Sequence, residues 1–160
     1  MDDDVIRQTV KSQYGAALAM LRAAITQCPD ALWDDPTDTN RYWHVVYHAL
    51  FYAHLYLAPS LEAFQPWAKH REESGSLSTA HAAPYSRDEV LEFLGVCAAR
   101  VAEMVATLDF AAPSGFHWLP MNKLELQLYN IRHIQTHAGE LAERLSQRAG
   151  IDVAWVGMGA

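Results

Sequence analysis

The 160-residue chain carries eight histidines, and four of them stand in pairs four residues apart: His44 with His48 in "RYWHVVYHALFYAHLYL", and His133 with His137 in "RHIQTHAGEL". On a helix such a pair lies about 40° apart and converges on one point, which makes it a workable two-nitrogen clamp for a metal ion. Two His-bearing helices in one small bundle can combine into a three-His site with an open position, as catalytic zinc requires. Without a metal, each imidazole in an apolar setting needs a hydrogen-bond partner for each ring nitrogen. Spacing leaves open which of His44 and His48 reaches inward.

The remaining chemistry is thinner. His54 lies six residues past His48, about 240° around the helix, so the two cannot share a face; a polar tip beside Tyr56 or a helix-end position is expected for it. His70, His81 and His117 fall in loops and are expected to be solvated. Asn130 and Glu140 stand about one turn from the His133/His137 pair on nearly the same face, from where either could orient a ligand ring. Ser114, in "PSGF", has no evident base, and the chain contains no GxSxG, HExxH or glycine-rich phosphate loop. Trp43, Tyr47, Phe51 and Tyr52 recur at helical spacing and read as core.

Four helical stretches must position these residues. Apolar residues recur at three and four from Asp3 to about Gln27, after acidic residues that suit a helix N-terminus. The turn-rich "DDPTDTN" leads to a second helix, Arg41 to about Leu57, apolar nearly all round and ended by Pro59. Residues 59 to 85 carry prolines and a polar run, a connection long enough to cross the end of a bundle, so that helices two and three could run parallel. Ser86 with Glu89 matches a capping box ahead of the third helix. Asn122 with Glu125 opens the fourth, which runs to Gly150, a C-terminal stop. On its wheel Leu124, Leu128, Ile131, Ile134, Ala138 and Leu145 mark the core stripe, with the histidines about 110° away. The expected fold is all-α, a four-helix bundle with a long crossover between helices 2 and 3, in a single domain over 1–160. The tail "IDVAWVGMGA" is expected to pack back on the bundle or on a second subunit.

Composition narrows the function. With 12 Lys and Arg against 19 Asp and Glu the chain is acidic and shows no basic cluster, so no nucleic-acid partner is expected. No run approaches the roughly 18 apolar residues of a membrane span, and the acidic start is unlike a secretory signal, so a cytoplasmic protein is expected. Cys28 and Cys97 are far apart and read as ordinary thiols.

Taken as a set, "YWHVVYHALFYAHLYL" and, far downstream, "YNIRHIQTHAGEL" resemble the DinB superfamily of four-helix-bundle proteins, the DinB/YfiT-like metalloenzymes. The resemblance covers essentially the whole chain. Carried over residue by residue, it implies metal ligation by His48, His133 and His137, with His44 as a supporting or pocket residue. Thr136 and His54 depart from the family pattern, which commonly has histidine and aspartate near these positions. The resemblance further implies one divalent ion, zinc or nickel, that activates a thiol or water for thiol-dependent transfer or hydrolysis. It also implies a small-molecule substrate, with a low-molecular-weight thiol as one candidate, and a homodimer. The substrate itself does not follow from the fold. The rival readings are a non-catalytic metal-binding or stress-related module, and a metal-free helical association module with a buried histidine network. Reference imidazole pKa values of roughly 6.5 lead one to expect metal release below about pH 6.

Overall fold

The computed structural model describes residues 2–77 and 83–159. Five α-helices and no strand occur among the described residues: α1 (Asp3–Gln27), α2 (Asp30–Trp33), α3 (Tyr42–Tyr56), α4 (Arg87–Thr107) and α5 (Lys123–Ala149). A short 3₁₀ turn, Glu72–Ser74, interrupts the connection between α3 and α4.

The helix ends follow from local chemistry. Asp2 accepts a hydrogen bond from the Asp4 amide at the start of α1, where Asp3 and Asp4 add negative charge to the first turn. Ser86 and Glu89 form the reciprocal capping box of α4, and Asn122 caps α5 through the Glu125 amide. At the far end of α5, Gly150 adopts φ 66°; its N–H donates to the Ser146 carbonyl, and the Ile151 N–H to the Leu145 carbonyl. The unforeseen α2 is a single turn that buries Leu32 and Trp33, and the Trp33 indole donates to the Tyr85 carbonyl (2.8 Å).

The four long helices pack around one core: α4 and α5 each lie against both α1 and α3. All five helices contribute to the main hydrophobic cluster, together with Trp67 and Tyr85 of the α3–α4 connection. The α3 helix is the most apolar and buries residues on nearly every side, Trp43 and Tyr47 completely. Cys28 and Cys97 are free and buried. Among the described residues no helix is long and apolar enough to cross a membrane.

The buried stripe of α5 runs through Lys123, Leu126, Gln127, Asn130, Ile134, Ala138, Leu141 and Leu145. It is rotated from the stripe that apolar residues alone suggest, because Gln127 and Asn130 are core residues while Leu128 is 57% exposed. Gln127 earns its place by accepting the buried Tyr14 hydroxyl (2.7 Å).

Two further segments hold the helices in register. In the loop before α5, Ser114 Oγ donates to the Leu119 carbonyl (2.6 Å) and accepts from the Phe116 amide (3.1 Å). The buried Lys123 ammonium donates to the Pro59 and Ser114 carbonyls, at 2.5 Å each. Gly115 is required there: its φ is +86°, and a Cβ would lie 2.5 Å from the Pro59 oxygen. The C-terminal tail returns along α1, where the Gly159 amide donates to the Ser12 carbonyl (2.9 Å) and leaves Trp155 and Met158 exposed.

Candidate metal centre

His48 of α3 meets His133 and His137 of α5 across the seam between the two helices. One nitrogen from each ring belongs to a set whose members all lie within 4.8 Å of one another, and the three side chains are half-buried. The rings stand edge to face, with centroids 5.3 Å (His48 to His133), 4.9 Å (His48 to His137) and 4.7 Å (His133 to His137) apart. Such a group could hold a metal ion.

The hydrogen bonds decide which nitrogens are available. The Gly75 carbonyl lies 2.9 Å from His48 Nδ1 and can only accept, so Nδ1 carries the proton and Nε2 presents a lone pair. Nε2 of His48 is 3.4 Å from Nε2 of His133. Two nitrogens bound tetrahedrally to zinc at about 2.0–2.1 Å stand about 3.3–3.4 Å apart, so the pair fits an ion between them. In the absence of an ion, His133 Nε2–H can instead donate weakly to His48. Either way His133 is poorly supported, because its Nδ1 is buried and lacks a hydrogen-bond partner among the described residues.

His137 is the best supported of the three. Its Nδ1 donates to Glu140 Oε2 (3.1 Å), one turn on, leaving Nε2 free. Glu140 is in turn held by Arg144 (3.1 Å), whose other amino group reaches Asp38 (3.3 Å) and the Asn40 carbonyl (2.8 Å) in the connection before α3. A carboxylate behind a ligand histidine fixes its tautomer and raises its basicity. The His137 hydrogen bond, with help from Arg144, holds the Glu140 carboxyl below its usual pKa despite partial burial, so it is ionised at neutral pH.

Burial sets the charge of the other two rings. It pushes His48 down to about 4, against the Gly75 hydrogen bond and with the His137 and His44 charges assisting. It pushes His133 down to about 3, again with help from the neighbouring histidines. Both rings are therefore neutral and ligand-competent at physiological pH. The expected release near pH 6 does not apply to these two residues, since the reference pKa omits their desolvation.

The supporting residues divide. Glu140 is hydrogen-bonded to His137. Asn130 is not: it is fully buried, its Nδ2 donates to the Ala53 carbonyl (3.0 Å), and it shares no hydrogen bond with the three histidines. The rotation of the α5 stripe explains this, because it turns Asn130 into the α3–α5 core. His44 is buried and stacked on Trp43, with Nε2 3.1 Å from the Ser74 carbonyl. It bears on the site through the connection, since Ser74 precedes the Gly75 that holds His48, and through its charge, which disfavours protonation of His48.

Several residues escaped sequence reasoning. Gly75 is buried against α3, where a Cβ would press to 3.0 Å from the Phe51 ring; its long-range contact with His48 has no local signal. Tyr52, expected in the core, is half-buried with its ring 4.8 Å from His48 and 5.7 Å from His133. Its place one turn after His48 was the available clue. His70, expected to be solvated, is half-buried, shares a hydrogen bond between its Nδ1 and the Tyr47 hydroxyl (2.8 Å) and stacks on Phe51. His54 stands in the last turn of α3, the helix-end alternative expected for it, with its ring edge-on to Phe64 and Phe93. His117 is exposed as expected, and His81 lies outside the described residues.

No family model, curated protein or solved structure matches the chain.

Proposed function

We propose that the chain is a divalent-metal-dependent enzyme, a single-domain four-helix bundle of the DinB/YfiT-like type with a long crossover between α3 and α4. In this reading His48, His133 and His137 are the metal ligands. The observation that carries it is the convergence of three imidazoles, two of which have a hydrogen-bonded second nitrogen that turns the other toward the common point. Structural histidines are normally satisfied at both nitrogens.

A bound zinc or nickel ion would supply Lewis-acid charge that lowers the pKa of a coordinated thiol or water to make a nucleophile at neutral pH. The chain's own contributions are electrostatic and positional. Two desolvated neutral rings leave the ion's charge undiminished, Glu140 steadies the third, and the Gly75 carbonyl fixes the His48 tautomer. Tyr52 borders the centre beside His48 and His133, placed to meet a small-molecule substrate. The reaction class is thiol-dependent S-transfer, with a low-molecular-weight thiol, or hydrolysis. A cytoplasmic location suits a low-molecular-weight thiol.

Elemental analysis of tag-free protein tests the centre. Near one ion per chain in the wild type, and none in a folded variant with His48, His133 and His137 changed to Ala, is the expected result. Absence of metal from both, with added zinc and nickel refused, would sink the proposal and favour a helical association module.

Association is also proposed for the enzyme itself, as a homodimer. Trp155 and Met158, 75% and 78% exposed on the tail, are the observation in favour. Sedimentation should return a dimer that W155S/M158S weakens; a wild-type monomer at high concentration would refute it.

A further inference from the structure

A cleft opens beside His54, on a different face of α3 from His48. It measures about 550 Å³ and lies between the C-terminal part of α3, the following segment and α4. That volume is in the small-molecule range. Its apolar walls include Phe64, Trp67 and Val96, and its polar lining is His54, Gln65 and Arg100. Trp67 is buried and stacked on Phe93 (4.7 Å), so that wall is rigid.

The polar residues of this cleft are unusual for the chain. The protein carries a net charge of −7, yet none of its acidic residues lines the cleft among the described residues, whereas an arginine does. Among the described residues Arg100 has one ionic partner, Glu103, in an i,i+3 pair on the exposed side of α4 (3.1 Å). Such a surface pair is weak and exchangeable. The His54 ring borders the cleft with its Nδ1 turned into the protein, without a hydrogen-bond partner among the described residues. Burial and the positive charge of Arg100 both favour its neutral form. An arginine beside a desolvated imidazole, walled by aromatic and aliphatic surface, is complementary to a negative group on an apolar body.

We propose that this cleft binds a small organic monoanion, a carboxylate carried on a flat apolar body. The Arg100 guanidinium takes the carboxylate, His54 and Gln65 are its polar neighbours, and Phe64, Trp67 and Val96 cover the flat portion. The site is separate from the metal centre and stands whether or not that centre is loaded.

Benzoate is the probe, with benzamide as its neutral counterpart, added to the full chain while the His54 ring and Trp67 indole signals are followed by NMR. Benzoate should shift both signals saturably, with half-saturation below about 10 mM. Benzamide, and benzoate with R100Q, should bind at least about tenfold more weakly, the loss of one charge-assisted contact. V96E places a carboxylate on the exposed wall of the cleft and should abolish benzoate binding in a protein whose circular dichroism is unchanged. Carboxylates also coordinate metals, so the variant lacking His48, His133 and His137 should keep the His54 and Trp67 shifts. Equal binding of benzamide, insensitivity to both R100Q and V96E, loss of the shifts in the triple-His variant, or no saturable shift would each overturn the proposal.

Discussion

Two parts of the molecule bury polar groups, and they do so in opposite ways. At the corner before α5, Ser114 Oγ both gives and takes a hydrogen bond, and the Lys123 ammonium is shared between two carbonyls. At the α3–α5 seam, two imidazole nitrogens face each other at 3.4 Å and a third ring nitrogen, His133 Nδ1, has no hydrogen-bond partner among the described residues. The first region is satisfied from within the chain and reads as architecture. The second leaves lone pairs converging on a point, which is what a site for something else looks like.

The contrast can be broken most forcefully at the satisfied corner. Lys123→Met would leave the Pro59 and Ser114 carbonyls short of their donor, and a loss of about 2–4 kcal/mol in denaturant unfolding is expected, with metal content unchanged. Loss of metal without loss of stability would mean the roles of the two regions had been misassigned.

Next comes the pH response of metal-stripped protein. Burial sets the folded-state pKa of His48 near 4 and of His133 near 3, below the roughly 6.5 of a free imidazole. Between those limits the unfolded chain binds more protons, so stability is level above about pH 6.5 and falls as pH drops toward 4 and then 3. Thermal unfolding across this window should show the decline, and H48Q/H133Q should flatten it. An unchanged slope in that variant would show that the two rings are not desolvated in solution.

Glu140→Gln keeps the shape behind His137 but removes the charge. Metal affinity is expected to weaken about tenfold by competition titration, with little change in fold. The smallest effect on stability belongs to His133→Leu, which removes a ring with an unpaired nitrogen. Metal-stripped protein should unfold within about 1 kcal/mol of the wild type or be slightly more stable, while metal binding collapses. A loss comparable to that of Lys123→Met would place His133 with the structural polar groups.

Much of this is legible in the sequence. Helix termini were accessible because caps are local: Ser86/Glu89, Asn122 and Gly150 each act within a few residues, and each ends or starts a helix where its chemistry says it should. The His133/His137 pair was legible for the same reason, as a matter of spacing on one helix. What escaped depends on distance along the chain. Asn130 was placed beside the histidines by a wheel drawn from apolar residues, whereas the core accepts Gln127 and Asn130 through partners on other helices. Spacing leaves Asn130 and Glu140 equally able to orient a ligand ring, and only the Arg144–Asp38–Asn40 chain behind Glu140 explains its fixed position.

Gly75 carries a consequence for the order of assembly. The α5 pair exists as soon as one helix has formed, since His133 and His137 are four residues apart. The third nitrogen is different: His48 takes its tautomer from a carbonyl 27 residues downstream, and that carbonyl reaches it only where the absence of a side chain lets the connection lie against Phe51. In the proposed centre, capture would begin as a loose two-point hold on α5 and tighten only when the connection docks. Metal retention would thus report completion of folding, and a bulkier residue at position 75 would yield a protein that picks up its ion and fails to keep it.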